Sequence, residues 1–393
     1  MNNKIKLTTV LPVLFGFFVM GFCDVVGITS THVKEDLLGV YSVEFRDTLS
    51  NMIPVALFSM FLLFSIPTGM LMNKIGRKKT VILSNTITIV AMFIPLIEYS
   101  FAMCLIAFAL LGIANTILQV SLNPLLSNVV PNEKLLTSSL TAGQFVKAIS
   151  SFSAPFIAAF AASYFGNWQY IFPIYAVITL LSTIWLMFIP ITEKSISGQA
   201  TSFSDVFAIL KDKTILLLFL GIVFVVGVDV GVNTAAPKLL GERVGLDSIQ
   251  AGYGTSIYFA FRTLGAFLGA FLLAKFKPAV FYRVNISVAV VALTAMLFAS
   301  SEMVIYCLLA VVGFTIANIF PIIFGMAMQK QPSKENEISG LMITGVFGGA
   351  VVPFFMGLTS DAMGSQIGSV IIILASALYL AFAAFAIRVK EQN

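Results

Sequence analysis

Long apolar runs separated by short polar turns make up this chain from end to end. A helix needs about 20 predominantly apolar residues to cross the hydrocarbon core of a bilayer. Runs of that length recur at 8–30, 48–73, 79–98, 101–129, 135–164, 168–190, 214–239, 248–274, 279–299, 303–329, 337–359 and 366–388. The pattern therefore predicts an all-α integral membrane protein with twelve spanning helices. Most separators resemble Val130-Pro131-Asn132-Glu133-Lys134 or Gln331-Pro332-Ser333-Lys334-Glu335, where proline, amide and charge stop a helix. One is longer. The polar stretch from Thr192 to Lys213 divides the chain into a six-helix bundle over 1–190, a linker over 191–213 and a second six-helix bundle over 214–393.

Composition narrows the class without altering this reading. Of 393 residues, 59% are hydrophobic and 10% charged, against about 25% charged in an average soluble domain. Lys4 and Lys6 precede an apolar run too long for a signal peptide, so that run is read as the first span. Cys23, Cys104 and Cys307 lie inside apolar runs without metal-ligand spacing and are expected to be small buried hydrophobes, with no disulfide and no metal site. Phosphate-binding glycine loops and His-Glu-x-x-His motifs are missing, which leaves ATP-driven pumping and enzyme chemistry without support. Nothing implies nucleic acid. His32, the only histidine, sits among Lys34, Glu35 and Asp36 and reads as a solvated loop residue.

The placement of charge orients the spans. With the N-terminus inside, the inner loops carry seventeen Lys and Arg and the outer loops four, namely Lys34, Arg46, Lys238 and Arg243. The inside-positive bias then puts both termini in the cytoplasm and the protein in the plasma (inner) membrane. The two halves also match at an offset of about 200 residues: Gly69 with Gly269, Asn85 with Asn285, Gly112 with Gly313, and Pro131 with Pro332. A duplicated six-helix unit leaves such traces, and it is the layout of a rocking transporter with its solute site between the halves.

Gly69-Met70-Leu71-Met72-Asn73-Lys74-Ile75-Gly76-Arg77-Lys78-Lys79 resembles the cytoplasmic motif of the major facilitator superfamily, with Asn73 where an Asp is usual. Within it the chain is similar to the fucose/glucose/galactose:proton symporter group through Asp24, through Gln119-Val120-Ser121-Leu122-Asn123-Pro124, and through Gln144. One departure is Gln119, where the group's L-fucose member carries a glutamate, and it bears on how protons are coupled. The resemblance implies alternating access, proton-coupled symport of a hexose or deoxyhexose, Asp24 as a proton-linked acid, and no cofactor besides the coupling proton. A monomer suffices for that mechanism, and its partners are a small sugar and the lipid bilayer.

Four charged side chains fall well inside spans: Asp24, Lys147, Asp229 and Arg262. Each costs roughly 2.5 to 3.5 kcal/mol at mid-bilayer on insertion scales, so such residues are retained for pathways, relays or pairs. At a rise of about 1.5 Å per residue they lie about 24, 18, 22 and 18 Å from the inner ends of their helices, in one layer. The pairs Asp24 with Lys147 and Asp229 with Arg262 are expected, either as structural locks or as working groups. Release of Lys147 to a solute would let Asp24 take up a proton and link the two events. Asn115, Gln119 and Asn123 form a polar row at i, i+4 and i+8, and an amide offers both a donor and an acceptor to a hydroxyl.

The candidate substrate contacts are Asn115, Gln119, Gln144, Asp229, Asn233, Tyr258, Arg262, Asn318 and Phe320, with Tyr258 and Phe320 covering a ring face. The alternative use of the amides is as glue between helices. The cytoplasmic gate comprises Gly69, Asn73, Lys74, Gly76 and Arg77, expected to meet acidic groups or helix C-termini. The alternative solute is an anion such as a sugar acid, clamped or exchanged by Lys147 and Arg262.

Overall fold

The computed structural model describes residues 7–26, 29, 32–33, 36–39, 43–130, 133–193, 203–246 and 248–387. Lys4, Lys6, Lys34, Glu35, Pro131, linker residues 194–202, Arg388 and Lys390 lie outside the described residues. Among the described residues the regular structure is helical, and 12 helices are long and apolar enough to cross a membrane. The first six are α1 (Leu7–Met20, continued by a 3-10 turn Gly21–Val25), α2 (Val43–Ile75), α3 (Arg77–Ile97), α4 (Phe101–Val129), α5 (Glu133–Phe165) and α6 (Ile171–Phe188). A short helix Phe203–Ala208 lies in the linker. Then come α7 (Lys213–Val244), α8 (Ser248–Leu272), α9 (Pro278–Met296), α10a (Glu302–Ile316), α10b (Ile319–Lys330), α11a (Glu335–Thr344), α11b (Gly348–Met363) and α12 (Ile367–Ala386).

Three spans are interrupted where the apolar pattern is continuous. The first tightens to a 3-10 turn, Gly21–Val25, after Met20, with Val26 and Thr29 beyond it again helical, and the Asn115 amide of α4 donates to the Met20 carbonyl at 2.8 Å. The tenth breaks at Ala317 and Asn318 because Pro321 has no N–H and its ring would crowd the carbonyl four residues back. The eleventh passes through a 3-10 turn, Gly345–Phe347, next to Gly348 and Gly349. Apolar periodicity does not register these breaks, because both sides of each remain greasy.

The chain packs as two compact units: one of Met1–Asn132, Val146–Val206 and Ser333–Thr344, the other of Glu133–Phe145, Phe207–Pro332 and Gly345–Asn393. The first part of α5 and the whole of α11a have thus exchanged places relative to the order of the sequence. In the first unit, Ser339 of α11a donates to the Val120 carbonyl of α4 at 2.6 Å. Gly340 lies against α2, where a Cβ would stand 2.7 Å from the Ser65 carbonyl. In the second unit, Ser138 of α5 donates to the Ala270 carbonyl of α8, and Gly325 of α10b leaves room for Thr137.

Each unit repeats the same packing device. Gly112 brings α4 onto the backbone of α2 at Leu57, and Gly313 brings α10a onto the backbone of α8 at Tyr258. Neither position has space for a Cβ. Basic residues close the helix ends in parallel fashion: Lys78 of α3 donates to the carbonyls of Met187 and Ile189 at the end of α6. Arg283 of α9 donates to those of Ala384 and Ile387 at the end of α12.

Two expectations need correction. Cys23 and Cys104 are buried, but Cys307 is exposed on α10a; on a spanning helix an outward thiol needs no interior seat. His32 is half-buried, with its ring stacked on Trp168 at 4.3 Å, so an aromatic neighbour remote in sequence covers one face of it. Beside it Asp36 accepts from the Tyr99 hydroxyl and the Trp168 indole N–H. Burial, and then the adjacent Asp36 carboxylate, push the Tyr99 phenol upward, so it remains a donor.

The glycine contact sets a test of the fold. Gly112→Leu should cost at least about 1–3 kcal/mol through overpacking and lower the thermal midpoint of the purified protein. Gly357→Ala, at a helical position with open space around its Cβ, should leave that midpoint near or slightly above wild type.

Candidate functional site

The densest polar assembly lies at the basic-loop end of the first unit. Gly76 separates α2 from α3 with φ 87°, in the left-handed region where glycine is at ease. Its missing Cβ admits the Glu193 carboxylate, which accepts from the backbone N–H groups of Arg77 at 2.6 Å and Lys78 at 3.0 Å. An anion there satisfies the free donors and the dipole of α3. Arg77 turns inward and is 4% exposed. Its guanidinium meets Glu335 at 2.9 Å and donates to Asn336 (2.7 Å), the Pro124 carbonyl (2.8 Å), Asn128 (2.8 Å) and Ser127 (3.2 Å). Ser127 in turn donates to Glu335 at 2.9 Å.

Asn73 completes the assembly. Its amide NH2 donates to Glu337 at 2.5 Å, and its carbonyl accepts from Asn336 at 2.8 Å. An aspartate in its place would set two carboxylates face to face, so the amide suits a partner that is itself an acid. Gly69, buried, brings α2 against the Asn336 backbone, whereas Lys74 is exposed. Sequence reasoning named Asn73 and Arg77 but missed Glu193, Glu335, Asn336 and Glu337. Glu335 stood out only as part of a turn, and nothing local indicates that it is 5% exposed in the folded chain.

Deeper in the same unit, the Asp24 carboxylate is carried on the 3-10 turn and accepts from the Ser151 hydroxyl of α5. Ser151 also donates to the Lys147 carbonyl at 3.1 Å, one helical turn back. Gly21 lets the Asp24 segment sit on that turn: a Cβ there would stand 2.8 Å from the Lys147 carbonyl oxygen. Lys147 is half-buried. The amide row of α4 lies alongside. Asn115 holds the Met20 carbonyl, Gln119 donates to Asn115 at 2.7 Å, and Asn123 donates to the Gln119 carbonyl at 2.8 Å. Asn115 thus anchors the broken end of α1, while Gln119 keeps more exposure than its two neighbours in the row, 8% against 2% each.

The second unit has its own charged pair. Arg262 of α8 meets Asp229 of α7 at 2.8 Å, and the Tyr258 hydroxyl donates to the same carboxylate at 2.6 Å. Tyr258 is fully buried, so in this arrangement it fixes Asp229 and presents no ring face to a solute. Asn233 is half-buried, and its backbone carbonyl accepts from Thr255 at 3.2 Å. Asn318 is 1% exposed and donates to the Gly265 carbonyl at 2.9 Å, packed on Gly269; this is a contact between helices. Phe320 is half-buried and stacks on Phe324 at 5.9 Å. Gln144 is half-buried on the segment of α5 that belongs to this unit.

Residues 10–353 match the Major Facilitator Superfamily, more than half of the chain. The chain belongs to that superfamily. It is a membrane transporter, not an enzyme. It is 24% identical over 382 residues to the glucose/galactose transporter of Brucella abortus, covering 93% of this chain and 90% of that protein. It is 23% identical over 367 residues to a putative glucose/galactose transporter of Helicobacter pylori, covering 88% of each. Among solved structures, the E. coli fucose:proton symporter FucP has a TM-score of 0.83 at 15% identity, covering 98% of this chain and 100% of that one. The human organic anion transporter MFSD10 has a TM-score of 0.79 at 14% identity, covering 96% and 99%.

The buried ion pair can be tested by a cycle of substitutions. Arg77→Leu leaves Glu335 buried without its cation and should cost about 3–5 kcal/mol, read as a fall in thermal midpoint. The double variant Arg77→Leu with Glu335→Leu should recover part of that loss.

Proposed function

We propose that the chain is a proton-coupled symporter of a small neutral sugar, a hexose or deoxyhexose, working by alternating access. The observation that carries this reading is Asp24: a carboxylate on a 3-10 interruption of a spanning helix, accepting from the Ser151 hydroxyl and the Cys23 thiol beside a row of buried amides. A carboxylate held this way binds a proton when its surroundings lose positive charge. Lys147 supplies such a charge from the facing turn of α5, and solute hydroxyls that draw the lysine away would favour protonation of Asp24. Gln119 and Gln144 offer paired donor and acceptor groups to those hydroxyls. The names of the Brucella, Helicobacter and E. coli relatives support the sugar class and the proton.

Conformational exchange in this reading requires the Arg77 assembly to release α11a from α2 and α4 and then reform. The bound hydrogen-bond partners return to one another in each cycle, so the cost of exposing them is temporary. The lysine and arginine excess on one side supports cytoplasmic termini in the inner membrane, and one chain carries all the groups that the mechanism uses.

A second reading, transport of an anionic solute such as a sugar acid, draws on Arg262, whose side chain is 33% exposed while paired with Asp229. Displacement of Asp229 by a solute carboxylate would exchange one charge-assisted pair for another.

Uptake into proteoliposomes separates these readings. Asp24→Asn should abolish accumulation driven by a proton gradient and spare sugar exchange; accumulation at the wild-type level in that variant rejects the symport mechanism. Arg262→Ala should weaken hexose uptake and cripple transport of a hexuronate, and preferential competition by hexuronates over neutral sugars would favour the second reading.

A further inference from the structure

Asp24 has a buried aromatic neighbour that the transport mechanism above leaves unused. Tyr175 of α6 is fully buried, and its ring lies flat on Phe22, with centroids 3.9 Å apart and planes 3° from parallel. Phe22 belongs to the same 3-10 turn as Asp24. Despite complete burial, the Tyr175 hydroxyl has no hydrogen-bond partner among the described residues. The stack seats the phenol against the turn that carries the Asp24 carboxylate. A buried phenol normally finds a partner, so an orphan beside an acid requires a reason.

The chemistry of the carboxyl group supplies one. Ionised, Asp24 offers only acceptors, and the Ser151 hydroxyl and Cys23 thiol already serve it; protonated, it gains an O–H that needs an acceptor of its own. The tyrosine oxygen is free to accept. Ser150, next to Ser151, is likewise buried without a partner and lies against Gly21, whose Cβ would stand 2.6 Å from the serine Cβ. The turn that carries Asp24 is therefore flanked by one engaged hydroxyl and two idle ones. Of the latter, Ser150 faces Gly21, whereas the Tyr175 ring lies on Phe22, two positions from Asp24.

We propose that Tyr175 is a positioning residue for the protonated form of Asp24: its hydroxyl oxygen accepts the carboxylic O–H, while Ser151 serves the ionised form. No bond to carbon changes; the proton that binds Asp24 is shared with the phenol oxygen and leaves by the same atom. The titratable and charged groups around Asp24 are Cys23 on its own turn, Lys147 on α5 and Tyr175 on α6. On α4 the side chains nearby are the uncharged Asn115 and Gln119. The inference rests on the symport reading.

The test is the pH profile of gradient-driven sugar uptake in proteoliposomes, for wild type, Tyr175→Phe and Ser151→Ala. Phenylalanine keeps the stack on Phe22 and removes only the oxygen. Loss of one hydrogen bond to the protonated form should move the pH of half-maximal uptake downward by about half to one unit in Tyr175→Phe. Ser151→Ala, which removes a donor to the ionised form, should move it upward by a similar amount. The thermal midpoint of Tyr175→Phe should be equal to or above that of wild type, because the lost hydroxyl is an orphan in this state. A Tyr175→Phe profile that superimposes on wild type, or that moves in the same direction as Ser151→Ala, overturns the proposal and leaves symport standing. A wild type indifferent to the proton gradient overturns symport, and the role of Tyr175 with it.

Discussion

A guanidinium buried to 4% exposure cannot be left alone, and the need to neutralise and saturate Arg77 organises the basic-loop end of the first unit. Its charge is met by Glu335, and its donors are taken by Asn336, Asn128, Ser127 and the Pro124 carbonyl. Those partners come from α4 and from α11a, a segment more than 200 positions later in sequence. The ion pair therefore fixes where α11a sits, and the close approach at Gly69 and Gly340 follows. A buried pair of this kind adds little net stability over a well-packed apolar substitute, but it is expensive to break halfway. That property suits a contact which has to be either fully made or fully released.

The two units solve the same packing problem with different chemistry. Each uses a glycine to bring its fourth helix onto its second, at Gly112 and Gly313, and each receives the first part of a helix from the other half through a serine hydroxyl, at Ser339 and Ser138. Around α11a this contact is reinforced by ions and amides. Where Glu337 stands in the one, Leu136 stands at the corresponding place before the serine in the other, and it is buried among apolar groups. Duplicated architecture thus carries an unequal distribution of charge, and the difference lies in side chains that the helix pattern ignores.

Charges within the spans divide by the partners they keep. Asp229 is held by both Arg262 and Tyr258, which leaves it well saturated in this arrangement. Asp24 accepts from the Ser151 hydroxyl on one oxygen and the Cys23 thiol on the other, at a place where the helix has given up its regular geometry. The Asp24 partners are a weak thiol donor and a hydroxyl, whereas Asp229 is held by a cation and a phenol.

Twelve spans and the short turns between them were legible in the sequence, because lipid demands a continuous apolar helix for each crossing and any strand of polar backbone would be left unsatisfied. Asp24, Lys147, Asp229 and Arg262 were legible for the same reason: a charge in an apolar run announces itself by its cost. The sequence could not show which polar side chains are engaged by other helices. Asn318 and Asn115 are committed to the carbonyls of Gly265 and Met20, and Tyr258 is hidden behind Asp229, through contacts between residues tens of positions apart. Nor could it find Glu193, Glu335, Asn336 and Glu337 as partners of the basic loop, or Tyr175 beside Asp24. A one-dimensional pattern records how greasy each position is, whereas hydrogen bonding depends on distances of about 3 Å that exist only once the helices have packed.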